Sequence, residues 1–135
     1  INVKGTQNVL NAISGDQLLL FGSTGSNYGV VDGICVETTP LNPSTLYGRT
    51  KTEAEDLVMN QHKNSIAYRF ATAFGVSPRL RMDLLINDLA YKAVTEGALV
   101  IYQSGAMRTF IHVRDMAMSF LFAIVNHDKM SLFKT

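Results

Sequence analysis

Gln17-Leu18-Leu19-Leu20-Phe21 is a short apolar run closed by turn residues on both sides, Ser14-Gly15-Asp16 before it and the polar, Gly-rich stretch 22–29 after it. A short apolar run bounded by turn residues suits a strand buried on both faces, the condition of strands in a parallel sheet covered by helices. Before this run, residues 2–13 place Val3, Val9, Leu10 and Ile13 at three- and four-residue spacings and predict a helix that ends at Gly15. After it, residues 30–44 mix Gly33, Pro40 and Pro43 with no sustained period and predict an irregular connection.

The pattern then repeats. Pro43-Ser44 supplies a helix start, and residues 45–62 carry Leu46, Ala54, Leu57 and Val58 along one side of an amphipathic helix closed near Asn64. Residues 65–72 are β-like, residues 82–95 helical with Gly97 as the stop, and residues 99–102 a short strand. Beyond the turn Gln103-Ser104-Gly105, residues 108–113 are again β-like, and Asp115 is placed to cap a helix over 116–126. Alternating helix and strand predicts the α/β class.

Composition removes several functions. With 12 Lys+Arg against 11 Asp+Glu, a net charge of +1 and 47% hydrophobic residues in 135, there is neither a broad basic surface for nucleic acid nor a charged tail. No apolar stretch approaches the ~18 residues of a membrane span. The lone Cys35 makes no disulfide framework, which fits a cytoplasmic setting, and no His, Cys and carboxylate spacing suits a metal. His112 lies in an apolar run and reads as a core histidine, while His62 and His127 read as helix-end residues.

The sharpest chemical signal is Tyr47-Gly48-Arg49-Thr50-Lys51. Residues four apart share a helix face, and an ammonium beside a phenol stabilises the phenolate, which suits a general acid or base. Upstream, Ser23, Thr24 and Ser26 put hydroxyls just past the carboxyl end of the apolar run, where open α/β sheets keep their sites. The alternative for that stretch is a solvated Ser/Gly turn. Gly22, Gly25 and Gly29 do not form a phosphate-cradling loop, because residues 30–44 are irregular where a helix must open.

In order, Asn2-Val3-Lys4-Gly5-Thr6, the hydroxyl stretch ending in Tyr28-Gly29, the Tyr47/Lys51 helix, Arg69-Phe70-Ala71-Thr72-Ala73-Phe74-Gly75 and Arg108-Thr109-Phe110-Ile111-His112-Val113-Arg114-Asp115 make a set. Together they resemble the extended short-chain dehydrogenase/reductase family, specifically the NAD-dependent nucleotide-sugar epimerases and dehydratases. The resemblance runs nearly end to end. It implies a partial Rossmann-type doubly wound parallel sheet with part of a small C-terminal substrate domain: residues 1–75 as the second half of the NAD-binding domain, residues 76–135 as part of the substrate region.

The resemblance also implies roles. Tyr47 becomes the catalytic acid/base, Lys51 the residue that favours its phenolate and holds the nicotinamide ribose, and Thr24 the hydroxyl on the reacting sugar oxygen, with Ser23 its less favoured neighbour. Ser23 and Phe70, with Tyr47 and Lys51, fall on the cofactor side; Thr24, Thr72, Asn87 and Arg108 fall on the substrate side, Arg108 toward a pyrophosphate. Thr72 stands where the family usually has Asn. NAD is the implied cofactor, with NADP also open, and helices 2–13 and 45–62 are the implied homodimer contact. The family's N-terminal βαβ units, with their Gly-rich dinucleotide loop, have no counterpart before Ile1. An isolated chain of 135 residues is therefore expected to show an open apolar sheet edge, to bind NAD weakly and to be inactive. Two other readings share these residues: an NAD(P)-dependent reductase of a non-sugar carbonyl, and a non-catalytic remnant kept for dimerisation.

Overall fold

The computed structural model describes residues 1–102 and 104–130, so Gln103 of the expected turn and residues 131–135 lie outside it. The elements are α1 (Asn2–Ala12), β1 (Leu19–Thr24), a 3-10 turn (Gly25–Asn27), α2 (Leu46–Gln61), β2 (Ser65–Phe70), β3 (Thr72–Phe74), α3 (Leu85–Thr95), β4 (Phe110–His112), α4 (Val113–Val125) and α5 (His127–Met130). The protein is α/β, as expected, with parallel strand pairs joined by helical crossovers. The chain divides into two compact units, Ile1–Ala71 and Thr72–Thr135.

In the first unit β1 and β2 pair in parallel, from Leu19 opposite Ser65 to Thr24 opposite Phe70. The strand begins two residues later than the apolar run and extends three residues beyond it, for identifiable reasons. Gln17 is spent closing α1: its side-chain oxygen accepts the Ser14 N–H at 2.8 Å. Leu19 opens the ladder by donating to the Asn64 carbonyl at 2.9 Å. Gly22, Ser23 and Thr24, read from sequence as loop, continue the ladder against Tyr68, Arg69 and Phe70. Ladder bonds override the local turn preference of Gly and Ser.

α2 starts one residue after the expected signal. Thr45, in extended conformation, turns its hydroxyl oxygen to accept the Gly48 N–H at 3.0 Å, so Thr45 and not Ser44 is the cap. At the other end His62 closes the helix and its Nε2–H donates to the Gln17 carbonyl at 2.7 Å, a helix-end role. Asn2 to Thr50 and Gln7 to Gln61, each at 3.0 Å, lay α1 alongside α2. Ala54 and Val58 of α2 are fully buried, while Leu19, Leu20 and Phe21 are only half-buried. Among the described residues β1 pairs with β2 alone. An open apolar groove of about 340 Å³, lined by Ile1, Val9, Leu19, Phe21 and Val58, runs beside α1.

The second unit departs from sequence in three places. The single strand expected over 65–72 breaks at Ala71, and Thr72–Phe74 pairs in parallel with Phe110–His112. No strand forms over 99–102; Val100, Ile101 and Tyr102 are exposed and irregular. α4 begins at Val113, capped by His112, whose Nδ1 accepts the Arg114 N–H at 3.1 Å, and Asp115 falls in its first turn. The same ring packs edge-on against Phe74 at 5.2 Å and is half-buried rather than in the core.

Candidate functional site

Two sequence candidates, Thr24 and Lys51, meet near the carboxyl end of β1, and a third, Tyr47, lies one helical turn from Lys51. Thr24 is the last residue of β1, buried, and accepts the Ser26 N–H at 3.2 Å. That bond caps the 3-10 turn and fixes the side chain's direction. Lys51 reaches the strand from the second turn of α2: its ammonium donates to the Gly22 carbonyl at 2.6 Å and lies 4.1 Å from the Phe21 ring centroid. Tyr47, one turn earlier on α2, is 54% exposed, so its phenol is open to a ligand.

The first turn of α2 can approach this strand end because residue 48 is glycine. A Cβ there would meet the Ser26 carbonyl oxygen and the Pro43 Cβ at 3.0 Å each. The contact places the Tyr47–Gly48 turn two residues past Thr24, while Lys51 binds two residues before it. Phe70 ends β2 opposite Thr24 and stacks on Tyr68 with ring centroids 5.3 Å apart.

Electrostatics at this end are set by burial. Desolvation pulls Lys51 below the ordinary lysine value, and the negative charge of Glu55 on the next turn opposes the fall. Ser23 is buried, and its hydroxyl donates to the Glu55 carboxylate while accepting the Asn27 amide at 3.0 Å. The glycines of this stretch lead into a three-residue 3-10 turn and an irregular run, so they offer no helix N-terminus to a pyrophosphate.

The remaining candidates lie in the second unit. Thr72 is exposed on β3, paired with Phe110. Asn87 on α3 is half-buried and uses both ends of its amide locally, accepting the Gly75 N–H at 3.2 Å and donating to the Arg81 carbonyl at 2.9 Å. It therefore orders the loop before α3. Arg108 is exposed. Among the described residues no group of three or more His, Cys, Asp or Glu is placed to hold a metal, and no helix is long and apolar enough to cross a membrane.

Sequence reasoning missed a buried polar cluster beneath the site. Glu55, 4% exposed, accepts Arg69 Nε at 2.9 Å and Nη2 at 2.6 Å on one oxygen, and Asn27 Nδ2 at 2.9 Å with the Ser23 hydroxyl on the other. Arg69 Nη1 donates onward to the Tyr28 hydroxyl and the Glu37 carbonyl, both at 3.0 Å. Hydrogen bonds from Arg69 to Glu55 raise the guanidinium above even the ordinary arginine value, so it stays charged. The available signal was a glutamate four residues past Lys51, on the same helix face, with an arginine inside a β-like run.

The donor set fits the nicotinamide-ribose end of a dinucleotide. An ammonium has three donors, and Lys51 spends one on Gly22, leaving two for a ribose diol, one helical turn from the exposed Tyr47.

The family model "NAD dependent epimerase/dehydratase family" matches residues 1–133. An uncharacterized UDP-glucose epimerase of Bacillus subtilis, YtcB, is 32% identical over an alignment 122 positions long that covers 84% of this chain and 38% of that protein. The UDP-glucuronic acid 4-epimerase of Bacillus cereus, solved with UDP-glucuronic acid and NAD, superposes with a TM-score of 0.75 at 29% identity over 91% of this chain and 41% of its own. The dTDP-glucose 4,6-dehydratase of Bacillus anthracis, solved with NAD, gives a TM-score of 0.78 at 26% identity over 90% and 42%. This chain thus spans about two fifths of the length of these relatives.

Proposed function

The chain belongs to the NAD dependent epimerase/dehydratase family, and from that premise we propose that it is the acid/base segment of an NAD-dependent epimerase or dehydratase of nucleotide-sugars. One observation carries this reading: Lys51 of α2 bonds the Gly22 carbonyl of the strand that ends at Thr24, and Gly48, next to Tyr47, packs against Ser26 just past that end.

In this reading Tyr47 takes the proton from a sugar hydroxyl as hydride leaves the same carbon, and a keto-sugar results. Thr24 hydrogen-bonds the sugar oxygen whose charge changes. Lys51, half-buried and bonded to the Gly22 carbonyl, would with Tyr47 hold the nicotinamide ribose. Bound NAD would supply the hydride acceptor. Ser23 and Phe70 border the cofactor side. Arg108 takes the pyrophosphate, Thr72 lines the sugar subsite, and Asn87 acts by holding the loop it already bonds.

Residues 1–75 then form the second half of the cofactor domain and residues 76–135 part of the substrate region. The apolar groove beside α1 and the pairing of β1, among the described residues, with β2 alone support the reading that further strands of the whole protein complete this sheet. A cytoplasmic homodimer through α1 and α2 fits as well, since Leu46 and Met59 of α2 are exposed.

The test is to incubate the whole protein with NAD and UDP-glucose deuterated at the oxidised sugar carbon. An epimerised or dehydrated sugar that retains the label, with no net build-up of reduced nicotinamide, is expected. Net build-up would favour the reductase reading, and no turnover with any nucleotide-sugar would remove the proposal.

A further inference from the structure

Glu55 is given no contact with substrate or cofactor above, yet its cluster joins the strand end, the turn and the helix that carry Thr24, Tyr47 and Lys51. A buried carboxylate without partners is costly, and Glu55 avoids the cost by accepting from four donors. Those donors come from the end of β1 (Ser23), the 3-10 turn (Asn27) and β2 (Arg69), while Glu55 itself rides on α2. Arg69 extends the cluster to Tyr28 and to the irregular segment at Glu37, its guanidinium lying 5.1 Å from the Tyr28 ring centroid.

Apolar residues of similar volume would hold these segments about as strongly as a buried ion pair does. What the polar cluster adds is direction. Asn27 carries an independent mark of that constraint: it is fully buried, and its Oδ1 has no hydrogen-bond partner among the described residues. Turning the amide over would set that oxygen against the Glu55 carboxylate, so the negative charge fixes which way Asn27 points. An orphaned acceptor is tolerated so that the amide nitrogen, the donor end, faces Ser23 and Glu55.

We propose that Glu55 is a positioning residue for catalysis: through Ser23, Asn27 and Arg69 it holds the strand end that carries Thr24 in register with the helix that carries Tyr47 and Lys51. Enclosed by its four donors, it acts through its neighbours. The role rests on the function proposed above. Misplacement of reacting groups by about 1 Å can cost ~10²-fold in rate, so loosening this cluster is read in turnover more than in binding.

The experiment compares wild type with Glu55→Gln in the whole protein. A glutamine keeps the volume but sets an amide N–H₂ against the donors of Asn27 or Arg69. The expected result is a fall in kcat of about 10- to 100-fold, with KM for NAD and for UDP-glucose within about 3-fold of wild type. With no cofactor or substrate added, amide exchange at Ser26 and Asn42, which bond Thr24 and Asn27, should quicken by about 10-fold. A purely structural role would lower the melting temperature and the folded fraction while leaving kcat per folded site unchanged, and that outcome overturns the proposal. Should Glu55→Gln fail to fold, Asn27→Ala keeps the Glu55–Arg69 pair, and about a 5-fold loss of kcat at unchanged KM is expected; unchanged kcat overturns the proposal there too. A wild type that converts no nucleotide-sugar overturns the functional reading and this role together, whereas an active wild type beside an unaffected variant overturns this role alone.

Discussion

The Lys51 ammonium lies 2.6 Å from the carbonyl oxygen of Gly22, so the helix that bears Tyr47 is tied directly to the strand that ends at Thr24. Burial against that strand lowers the lysine's affinity for its proton, with Glu55 opposing the effect. The unfolded chain therefore keeps this proton to higher pH than the folded one. Between the folded value and the unfolded one near 10.5 the unfolded state binds more protons, and stability rises with pH through that window. Urea unfolding followed as the pH rises toward about 10.5 should show a shallower rise in Lys51→Met than in wild type. Equal slopes would mean that Lys51 is no more buried than a surface lysine.

Tyr47→Phe separates chemistry from folding. The side chain is 54% exposed, and phenylalanine retains the ring. Stability should change by less than about 0.5 kcal/mol, as for ordinary surface positions. Turnover of a nucleotide-sugar by the whole protein should fall by about 10²- to 10⁴-fold, the usual contribution of a positioned acid or base. Activity close to wild type would exclude Tyr47 from the proton transfer.

Gly48→Ala should reverse an ordinary rule. Alanine in place of a helical glycine commonly stabilises by about 1 kcal/mol. Here the new methyl would lie 3.0 Å from the Ser26 carbonyl oxygen and 3.2 Å from Thr45 Oγ1, the atom that caps the helix. Relief requires α2 to back away from the turn after Thr24. A net loss of about 1 kcal/mol is expected by thermal unfolding, with about a 10-fold fall in kcat. A stabilised variant of full activity would show that the turn yields freely.

The parts of this site that sequence made legible are those with local spacing. Tyr47 and Lys51 declare themselves by a four-residue interval, and α2 by its apolar side. The strand end was misjudged because Gly22, Ser23 and Thr24 have turn chemistry, and their true conformation depends on partners more than forty residues away. Residues 99–102 have strand composition without a pairing partner, and composition alone supplies no ladder. The Glu55–Arg69 pair was invisible for a related reason. Charged residues on a helix and a strand read as solvated until the fold brings 55 and 69 within 2.6 Å.

Gly29→Ala tests how tightly the segment after the site is held. Gly29 has φ +73, a left-handed conformation that costs a non-glycine residue about 1 kcal/mol or more. Space is the larger obstacle, because a Cβ at this position would fall 2.0 Å from the carbonyl oxygen of Asn42. The N–H of that same residue bonds the Asn27 carbonyl at 3.0 Å, so Asn42 cannot withdraw without pulling on the 3-10 turn. Gly97, with φ +66 and nothing within 4 Å of its Cβ position, supplies the control for conformation alone. Gly97→Ala should cost about 1 kcal/mol and Gly29→Ala at least about 2 kcal/mol more, measured by denaturant unfolding. Equal costs in the two variants would show that the segment at Asn42 gives way, and that the turn after Thr24 is not anchored from that side.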